Sequence, residues 1–238
     1  MKKLLLKNIG CSFLLCFLSI VAFADPAQFI QAVQSGDWDK AENLSSSLGT
    51  GDIAALGKAR DSNGQSVLHL IAIKGHEKLF NIILNLFGQV LGSKTNFIKV
   101  LDNNNNTVLH LAALTANMPL AVSIKNAFGF GNDWSNNIKA QNVHGNNPLH
   151  LAAACGNKGT YDFLFSSVGL VLGGAHPADL KNNSGLTARQ LLAMPPQERS
   201  KICETTLFAK PPILSPVEST RTQPVLTCTQ LSPERRTM

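Results

Sequence analysis

Three histidines, each flanked by two leucines, are the first residues in this sequence that could do chemistry. The L-H-L triplets are centred on His69, His110 and His150, so one histidine recurs about every 40 residues. A column of imidazoles on a common face could form a ladder of metal ligands. Zinc, however, needs its histidine nitrogens at about 2.0–2.1 Å, whereas the axes of packed helices lie about 8–10 Å apart. Adjacent histidines therefore cannot share one ion, and we predict no metal site and no cofactor.

Cys155 is a candidate nucleophile with histidines nearby in the sequence. His144 or His150 could serve as its base, but catalysis of this type also needs an orienting group and an oxyanion site. The sequence has no local signature for either, and it has no C-x-x-C, no glycine-rich phosphate loop and no H-E-x-x-H motif. We interpret Cys155 as a small residue facing a groove and predict that the chain is not an enzyme. An enzyme or a metal-binding protein is the remote alternative.

Each histidine lies in a copy of a repeated segment. The copies read DSNGQSVLHLIAIKGH at 61–76, DNNNNTVLHLAALTAN at 102–117 and NVHGNNPLHLAAACGN at 142–157, and a weaker copy begins NNSGLTARQLLA at 182. Their central turn residues are 41, 40 and 40 residues apart and are Gly64, Asn105, Gly145 and Gly185. A fixed spacing predicts units that stack along one axis, because one unit cannot bury its apolar face alone.

Within each unit the residue types predict a tight turn followed by two helices. The opening D/N-x-x-G segment suits a turn, since glycine or asparagine tolerates a positive φ. A hydroxyl or amide then stands where it can cap the first helix, and these caps are Ser66, Thr107, Asn147 and Thr187. Gly75 and Gly156 can end the first helix in the left-handed conformation. An apolar second helix follows at Glu77–Leu91, roughly 119–128 and roughly 160–172.

The segments VLHLIAIKGH, TVLHLAALTAN and NPLHLAAACGN resemble the T-P-L-H-x-A-A-x-x-G-H core of ankyrin repeats. The resemblance implies an all-α fold, an ankyrin-repeat solenoid of stacked helix-turn-helix units with turn fingers and about four to five repeats including the caps. The units expected within 25–205 are an N-terminal cap repeat at 27–60, repeats at 61–101, 102–141 and 142–181, and a C-terminal cap repeat at 182–205. By the same resemblance, His69, His110 and His150 are structural and tie each turn to the next repeat through hydrogen bonds.

The units are longer than ankyrin repeats, which run about 33 residues. The surplus of seven or eight residues falls at 92–99, 129–137 and 173–179, and we interpret it as lengthened helix ends and fingers. Phe128, Phe130 and Trp134 lie in or beside one such segment among glycines and asparagines. They either anchor a partner, as aromatic residues on a loop can do, or pack back over the second helices. The sequence leaves both readings open.

The two ends of the chain differ in character from the repeats. Residues 1–24 begin with three lysines, continue in an apolar run and end in Ala22-Phe23-Ala24, which predicts a signal peptide cleaved before Asp25. The apolar run of about 15 residues is shorter than the roughly 20 that span a bilayer. We therefore expect Sec-type export to the periplasm or secretion, without membrane insertion after cleavage. Residues 206–238 are rich in proline, serine and threonine, which predicts a disordered tail.

Charge and cysteine content limit the partners and the crosslinks. The formal charge is +6 at pH 7, and removing the three signal-peptide lysines leaves +3. A charge this small does not demand nucleic acid or an anionic membrane as partner. The mature chain keeps Cys155, Cys203 and Cys228, an odd number that allows at most one disulfide within the chain. The sequence does not select the pair.

The resemblance implies a non-catalytic protein, expected to be a monomer, that binds a protein partner through its concave face and fingers. In ankyrin repeats the variable contact positions are the finger residues and the solvent side of the first helix. The matching positions are Ser62, Asn63, Gln65, Ile73, Lys74, Asn103, Asn104, Asn106, Leu114, Thr115, Val143, His144, Asn146, Ala154 and Cys155. Lys74 is the one positive charge among them, which disfavours nucleic acid. The alternative is a secreted, host-directed effector that engages a host protein.

Overall fold

The computed structural model describes residues 25–129, 132–168 and 175–207. Within these ranges the chain forms no strand, and it forms one 3-10 helix at Pro177–Asp179 and thirteen α-helices. The α-helices are α1 (Pro26–Ser35), α2 (Trp38–Ser47), α3 (Thr50–Lys58), α4 (Val67–Lys74), α5 (Glu77–Leu91), α6 (Thr95–Ile98), α7 (Val108–Leu114), α8 (Met118–Phe128), α9 (Asn132–Lys139), α10 (Pro148–Ala154), α11 (Lys158–Ser167), α12 (Ala188–Ala193) and α13 (Pro196–Leu207). The predicted all-α class is confirmed for this part of the chain. The predicted signal peptide, Phe130 and the predicted tail from residue 208 onward lie outside the described residues.

The helices pack in two columns. The first helices of the four units, α4, α7, α10 and α12, each pack against the next. The second helices α5, α8 and α11 do the same, and within each of the first three units the two helices pack against each other. At the N-terminal end α1 packs against α4, while α2 and α3 pack against α5. Each unit thus buries its apolar faces against its neighbours, as the repeat predicts.

A left-handed residue reverses the chain between the two helices of each of the first three units. Gly75, Ala116 and Gly156 have φ values of 74°, 57° and 72°. Glycine adopts this conformation without steric cost, whereas a residue with a Cβ atom loses about 1 kcal/mol. The predicted helix ends at Gly75 and Gly156 are confirmed, and Ala116 makes the same reversal in the unit that lacks a glycine.

The core lies between the two columns and between successive units. The first helices contribute both leucines and small alanines to this core. The fully buried residues include Leu68, Ile71, Leu79, Phe80, Ile83, Phe87, Leu109, Ala112, Leu120, Ile124, Leu149, Ala152 and Leu164.

The extra residues of each unit fold into short helical segments. The helices α6 and α9 and the 3-10 helix each lie between the second helix of one unit and the turn of the next. They carry Ile98, Ile138 and Ala178 into the core, where each is 0% exposed. The interpretation of 92–99 and 129–137 as lengthened helix ends and fingers is therefore wrong, because their apolar residues are used in core packing.

The fourth unit does not form the hairpin that the first three units form. Met194 follows α12 with φ −71° and ψ 155°, the extended conformation favoured before a proline such as Pro195. Without a left-handed turn, α13 leaves α12 in another direction and packs mainly against α10. A disulfide joins Cys155, which follows α10 directly, to Cys203 in α13. The structure therefore selects one of the pairings that the sequence left open.

Candidate functional site

Each unit opens with a turn held by one aspartate or asparagine side chain. Asp61 Oδ1 accepts hydrogen bonds from the backbone N–H groups of Asn63 and Gln65 at 2.8 and 2.7 Å. The corresponding residues make the same two bonds at 2.8–3.0 Å, and they are Asp102, Asn142 and Asn182. The fourth residue of each turn has a φ between 58° and 76°, as the sequence predicts. We call the four turns, at 61–65, 102–106, 142–146 and 182–186, the turn row.

Adjacent turns of the turn row are joined by a backbone hydrogen bond. In each junction the N–H of the second turn residue donates to the C=O of the third turn residue in the preceding unit. These bonds join Asn103 to Asn63 at 2.8 Å, Val143 to Asn104 at 2.9 Å and Asn183 to His144 at 3.1 Å. The turns therefore hold one another in place, and side chains that project from them keep a fixed spacing.

Two of the three junctions add a side-chain bond across the turn row. Asn103 Nδ2 donates to the C=O of Ser62 at 3.0 Å. Its amide lies against Gly64, where an added Cβ would come within 2.3 Å of Asn103 Oδ1. Gly64 is therefore required both by its positive φ and by this close approach. The last junction repeats the arrangement. Asn183 Nδ2 donates to the C=O of Val143 at 3.0 Å, and a Cβ added at Gly145 would come within 2.4 Å of Asn183 Oδ1.

At the middle junction, both the turn glycine and the asparagine of the following unit are replaced. Asn105 replaces the turn glycine and has a φ of 58°. Val143 replaces the asparagine, so its side chain cannot donate a hydrogen bond and stays 44% exposed. The two changes match each other, because the Cβ of Asn105 occupies the space against which an amide at position 143 would lie.

Three of the predicted contact residues are buried beneath the turn row. Gln65, Asn106 and Asn146 are 8%, 2% and 2% exposed. Asn106 Oδ1 accepts a hydrogen bond from Asn142 Nδ2 at 3.0 Å, and Asn146 Oδ1 accepts one from Asn182 Nδ2 at 2.9 Å. The prediction that these three residues contact a partner is wrong. They lie inside the protein, where the two asparagines join each unit to the next.

The first junction of this buried amide series is incomplete. Asp102 stands where later units have asparagine, and a carboxylate has no N–H group to donate. Gln65 Oε1 is buried without a hydrogen-bond partner, and so is Asp61 Oδ2. Burial, and to a smaller extent the nearby charge of Asp102, raise the pKa of Asp61 although two backbone N–H groups oppose the shift. This junction is therefore less well satisfied than the two that follow it.

The three repeat histidines also join each unit to the next, and we call them the histidine clamps. In each clamp Nε2 bonds a backbone C=O of the following unit at 3.1 Å, from His69 to Asn106, His110 to Asn146 and His150 to Leu186. In His69 and His110, Nε2 carries the proton because a carbonyl only accepts, and Nδ1 accepts from the hydroxyls of Ser66 and Thr107 at 2.7 and 2.9 Å. In His150, Nδ1 instead lies 2.7 Å from Asn147 Oδ1. In all three clamps Nδ1 also faces the backbone N–H of the N-cap residue of its own helix, at 3.1–3.2 Å. The clamps thus have the structural role that the resemblance implied.

Burial keeps the histidine clamps neutral. His69 and His110 are 0% exposed, and burial lowers their pKa from 6.5 to about 4. Burial also lowers the pKa of His150. Protonation would place an Nδ1–H against a backbone N–H that already points at that nitrogen. Both nitrogens of each ring are therefore engaged in bonds within the protein.

Two predicted contact residues on the first helices are also buried. Leu114 and Ala154 are 6% and 1% exposed, whereas Ile73 at the same position of the first unit is 36% exposed. The prediction is wrong for Leu114 and Ala154, because their side chains are buried within the stack and are not available to a partner. Cys155, at the next position, is half-buried and covalently bonded to Cys203.

The remaining predicted positions are exposed or half-exposed, and we call them the docking strip. They are Ser62, Asn63, Ile73, Lys74, Asn103, Asn104, Thr115, Val143 and His144. Sequence reasoning missed two exposed residues of the fourth turn, Asn183 and Ser184, although the NNSG segment at 182–185 marks that turn. The docking strip thus follows the turn row and continues onto the C-terminal ends of α4 and α7.

The aromatic residues beside the second surplus segment do not form one exposed group. Trp134 is 4% exposed, and its Nε1–H donates to the C=O of Ser167 at 3.3 Å. Its ring lies 6.2 Å from that of Phe128, which is half-buried at the end of α8. Of the two readings that the sequence left open, Trp134 follows the one in which the ring packs back over a second helix.

In residues 25–129, 132–168 and 175–207, no three histidine, cysteine, aspartate or glutamate side chains are grouped so as to hold a metal ion. No helix in that part of the chain is long and apolar enough to cross a membrane.

No protein-family model matches the sequence, and no curated protein matches it significantly. A proposal for its function therefore depends on the residues and contacts described above.

Proposed function

We propose that this chain is an exported ankyrin-repeat protein that binds a protein partner through the docking strip. Three observations support the ankyrin assignment. The helices pair and stack in two columns, each unit opens with a capped turn, and the histidine of each L-H-L triplet bonds the following unit. The short helices inserted after the second helices lengthen the units without interrupting either column.

The observation that carries the binding proposal is that the backbone of the turn row joins the units while the docking-strip side chains it carries remain exposed or half-exposed. Every junction has a backbone bond of 2.8–3.1 Å beneath it, so the exposed side chains stand on a preorganised base. Preorganisation lowers the entropy lost on binding. Of the four exposed large apolar side chains among the described residues, Val143 (44%) lies on this base and Ile73 (36%) lies near the end of α4, while Leu101 and Met118 lie outside the docking strip. Apolar side chains on a rigid polar surface can anchor a partner.

The chemistry of the docking strip favours a protein surface or an extended peptide. Its amide and hydroxyl groups can donate and accept hydrogen bonds, and its apolar residues can fill small depressions on a partner. Lys74 is its one lysine or arginine. Nucleic-acid binding depends on several phosphate contacts from basic residues, which this surface does not supply.

The cellular setting of the proposal comes from the signal peptide predicted at 1–24. A Sec-type signal leads to the periplasm, where the partner would be a resident protein. The alternative setting is secretion toward a host, where the same strip would engage a host protein. The two settings use one surface and differ only in the source of the partner.

The test captures partners with a variant of the docking strip and a matched control. Val143→Arg places a long charged side chain at the centre of the turn row, where 44% exposure leaves room for it. Gln89→Arg makes the same chemical change at an exposed position of α5, away from the strip. Both variants should melt like the wild type, since neither residue is in the core.

We expect a protein that the wild type and Gln89→Arg capture from periplasmic extract or host lysate but that Val143→Arg does not. Its affinity for Val143→Arg should fall at least about tenfold, or 1.4 kcal/mol. Equal capture by all three proteins would show that the interface lies elsewhere. Leu114 is unsuitable for this test, because a charged residue at that buried position would disturb the stack.

A further inference from the structure

The C-terminal helix α13 is attached to the stack differently from every other long helix. The second helices of the first three units fold back on their own first helix, whereas α13 packs mainly against α10 of the preceding unit. Arg199 Nη1 donates to the C=O of Leu192 at 3.2 Å, and Cys203 is bonded to Cys155. These two links hold α13 in place.

The described side chains of α13 bury little surface. Among its described side chains, at 196–201 and 203, none is buried, and the half-buried ones are Arg199, Ser200 and Cys203. In contrast, α5 buries Leu79, Phe80, Ile83, Leu84 and Phe87. Since a fully buried large apolar side chain contributes about 1.5–3 kcal/mol, the described side chains of α13 stabilise its packing less than those of α5 stabilise theirs.

The attachment point of α13 continues the docking strip into the third unit. Lys74, Thr115 and Cys155 hold the same position in units 1, 2 and 3, and Cys155 is bonded to α13, which packs against α10. The guanidinium of Arg199 also lies over Gly156, because a Cβ built on this glycine would meet Arg199 Nη2 at 3.2 Å. Bonded as it is, α13 covers the third-unit end of the strip.

We propose that the Cys155–Cys203 disulfide is a redox latch, which a dithiol opens to release α13 and uncover that end of the docking strip. In the reaction a thiolate of the dithiol attacks one sulfur of the disulfide and the S–S bond breaks. The departing cysteine thiolate takes up a proton, and the second thiol of the reductant resolves the mixed disulfide. The protein gains two thiols, and the dithiol is oxidised to its own disulfide.

The first experiment measures whether α13 detaches, on protein produced from the full coding sequence with Cys228→Ser to leave one cysteine pair. Trypsin cuts after Arg199 and Lys201, and both lie in α13. Treatment with dithiothreitol should speed cleavage at these two sites at least about tenfold, since cleavage follows the population of the open form. Cleavage at the lysines of α5 and α8 should not change. Circular dichroism should show that most of the helix content remains.

The second experiment measures what detachment uncovers, without any reductant. In a variant with Cys203→Ser and Cys228→Ser, the Cys155 thiol is free and can react with a maleimide. Its matched control is Thr115→Cys combined with Cys155→Ser, Cys203→Ser and Cys228→Ser, which places a thiol at the equivalent, uncovered position of unit 2. The two thiols should react within about threefold of each other if α13 has left.

Two results would overturn the latch. If α13 stays protected from trypsin after reduction and Cys155 reacts far more slowly than the control thiol, the disulfide is redundant to a stable packing. If reduction instead exposes sites throughout 25–193, the disulfide supports the whole fold and does not act as a latch. The significance of the latch rests on the proposed function, but neither experiment uses a partner. A failed latch and a failed docking strip are therefore distinguished.

Discussion

The histidine clamps and the turn row both run the length of the stack, but they differ in how far they vary from unit to unit. All three clamps place Nε2 at 3.1 Å from a carbonyl of the following unit. The turn row repeats its backbone bond, yet its side-chain bond is present in two junctions and missing at Val143.

The difference follows from exposure. A buried histidine with two bonded nitrogens has no substitute of the same shape and hydrogen-bonding pattern, so that position is constant among the three central units. A turn tip keeps its backbone bond whatever side chain it carries, and the side chain is free to differ. The constant positions are therefore those that stabilise the fold. In the proposed function, the variable exposed positions are those that would determine which partner binds.

Acid should produce the largest effect, and it should act on the clamps. Burial lowers the pKa of His69 and His110 from 6.5 to about 4, so the folded protein keeps them neutral while the unfolded chain protonates them below pH 6.5. Their contribution to the free energy of unfolding is complete above pH 6.5. It is lost as the pH falls toward 4, and the loss is roughly 3 kcal/mol per histidine. Asp61, whose pKa is raised, acts in the opposite direction because its protonation favours the folded state.

Urea unfolding between about pH 7 and about pH 4.5 measures this loss. The unfolding midpoint should fall steadily across that range, before most carboxylates titrate. A midpoint that stays constant down to pH 4.5 would mean that the clamps are not buried as described.

Removing one clamp should have the next largest effect. His110→Ala leaves a cavity and strips bonding partners from the N–H of Thr107 and the C=O of Asn146, at a cost of about 3 kcal/mol. His144→Ala is the control, because His144 is exposed in the turn row and its loss should cost no more than about 0.5 kcal/mol. Chemical denaturation of both variants gives the comparison, and equal stabilities would remove the distinction between clamp and turn.

A pair of glycine substitutions should separate backbone strain from crowding in the turn row. Gly64 and Gly185 have φ values of 73° and 76°, but an added Cβ meets Asn103 at Gly64 and nothing within 4 Å at Gly185. We expect Gly185→Ala to cost about 1 kcal/mol from its φ alone and Gly64→Ala about 2 kcal/mol. If thermal melts show the same loss for both, the contact between Gly64 and Asn103 has no energetic weight.

The smallest expected effect is a coupling at the middle junction. Val143→Asn alone should bring little, because the Cβ of Asn105 stands in the way of the new amide. Combined with Asn105→Gly, it should form the side-chain bond found in the other two junctions. The double-mutant cycle should give a favourable coupling of about 0.5–1 kcal/mol. Additive effects in chemical denaturation would mean that the two natural substitutions are unrelated.

Much of the fold could be predicted because the same sequence pattern recurs in several units. The caps at Asn147 and Thr187, the turn conformations and the span of α5 follow from local chemistry that single residues such as Gly64 indicate. The hydroxyl caps predicted at Ser66 and Thr107 are wrong, because these hydroxyls bond the histidine clamps and not the backbone of the helix. The role of the inserted segments could not be predicted, since Ile98 and Trp134 reveal their burial only when the neighbouring helices are in place.

The candidate site was predicted only in part, and the errors have one cause. Repeat position indicates which residues start near the surface, but burial depends on the following unit. Asn106 and Leu114 are covered by their neighbours in the stack, whereas Ile73 is not. The course of α13 was also hidden, although Pro195 after Met194 is a signal that the hairpin turn is missing.

The completeness of the junctions has a consequence for the order in which the molecule is assembled. The first junction lacks the buried amide bond and the middle one lacks the surface amide bond, while the last has both, together with the clamp from His150. Ribosomes make a chain from its N-terminus, so this best-joined pair of units is the last to emerge. We expect the nascent stack to remain incompletely joined until residues near 186 are available. The Cys155–Cys203 disulfide would form later still.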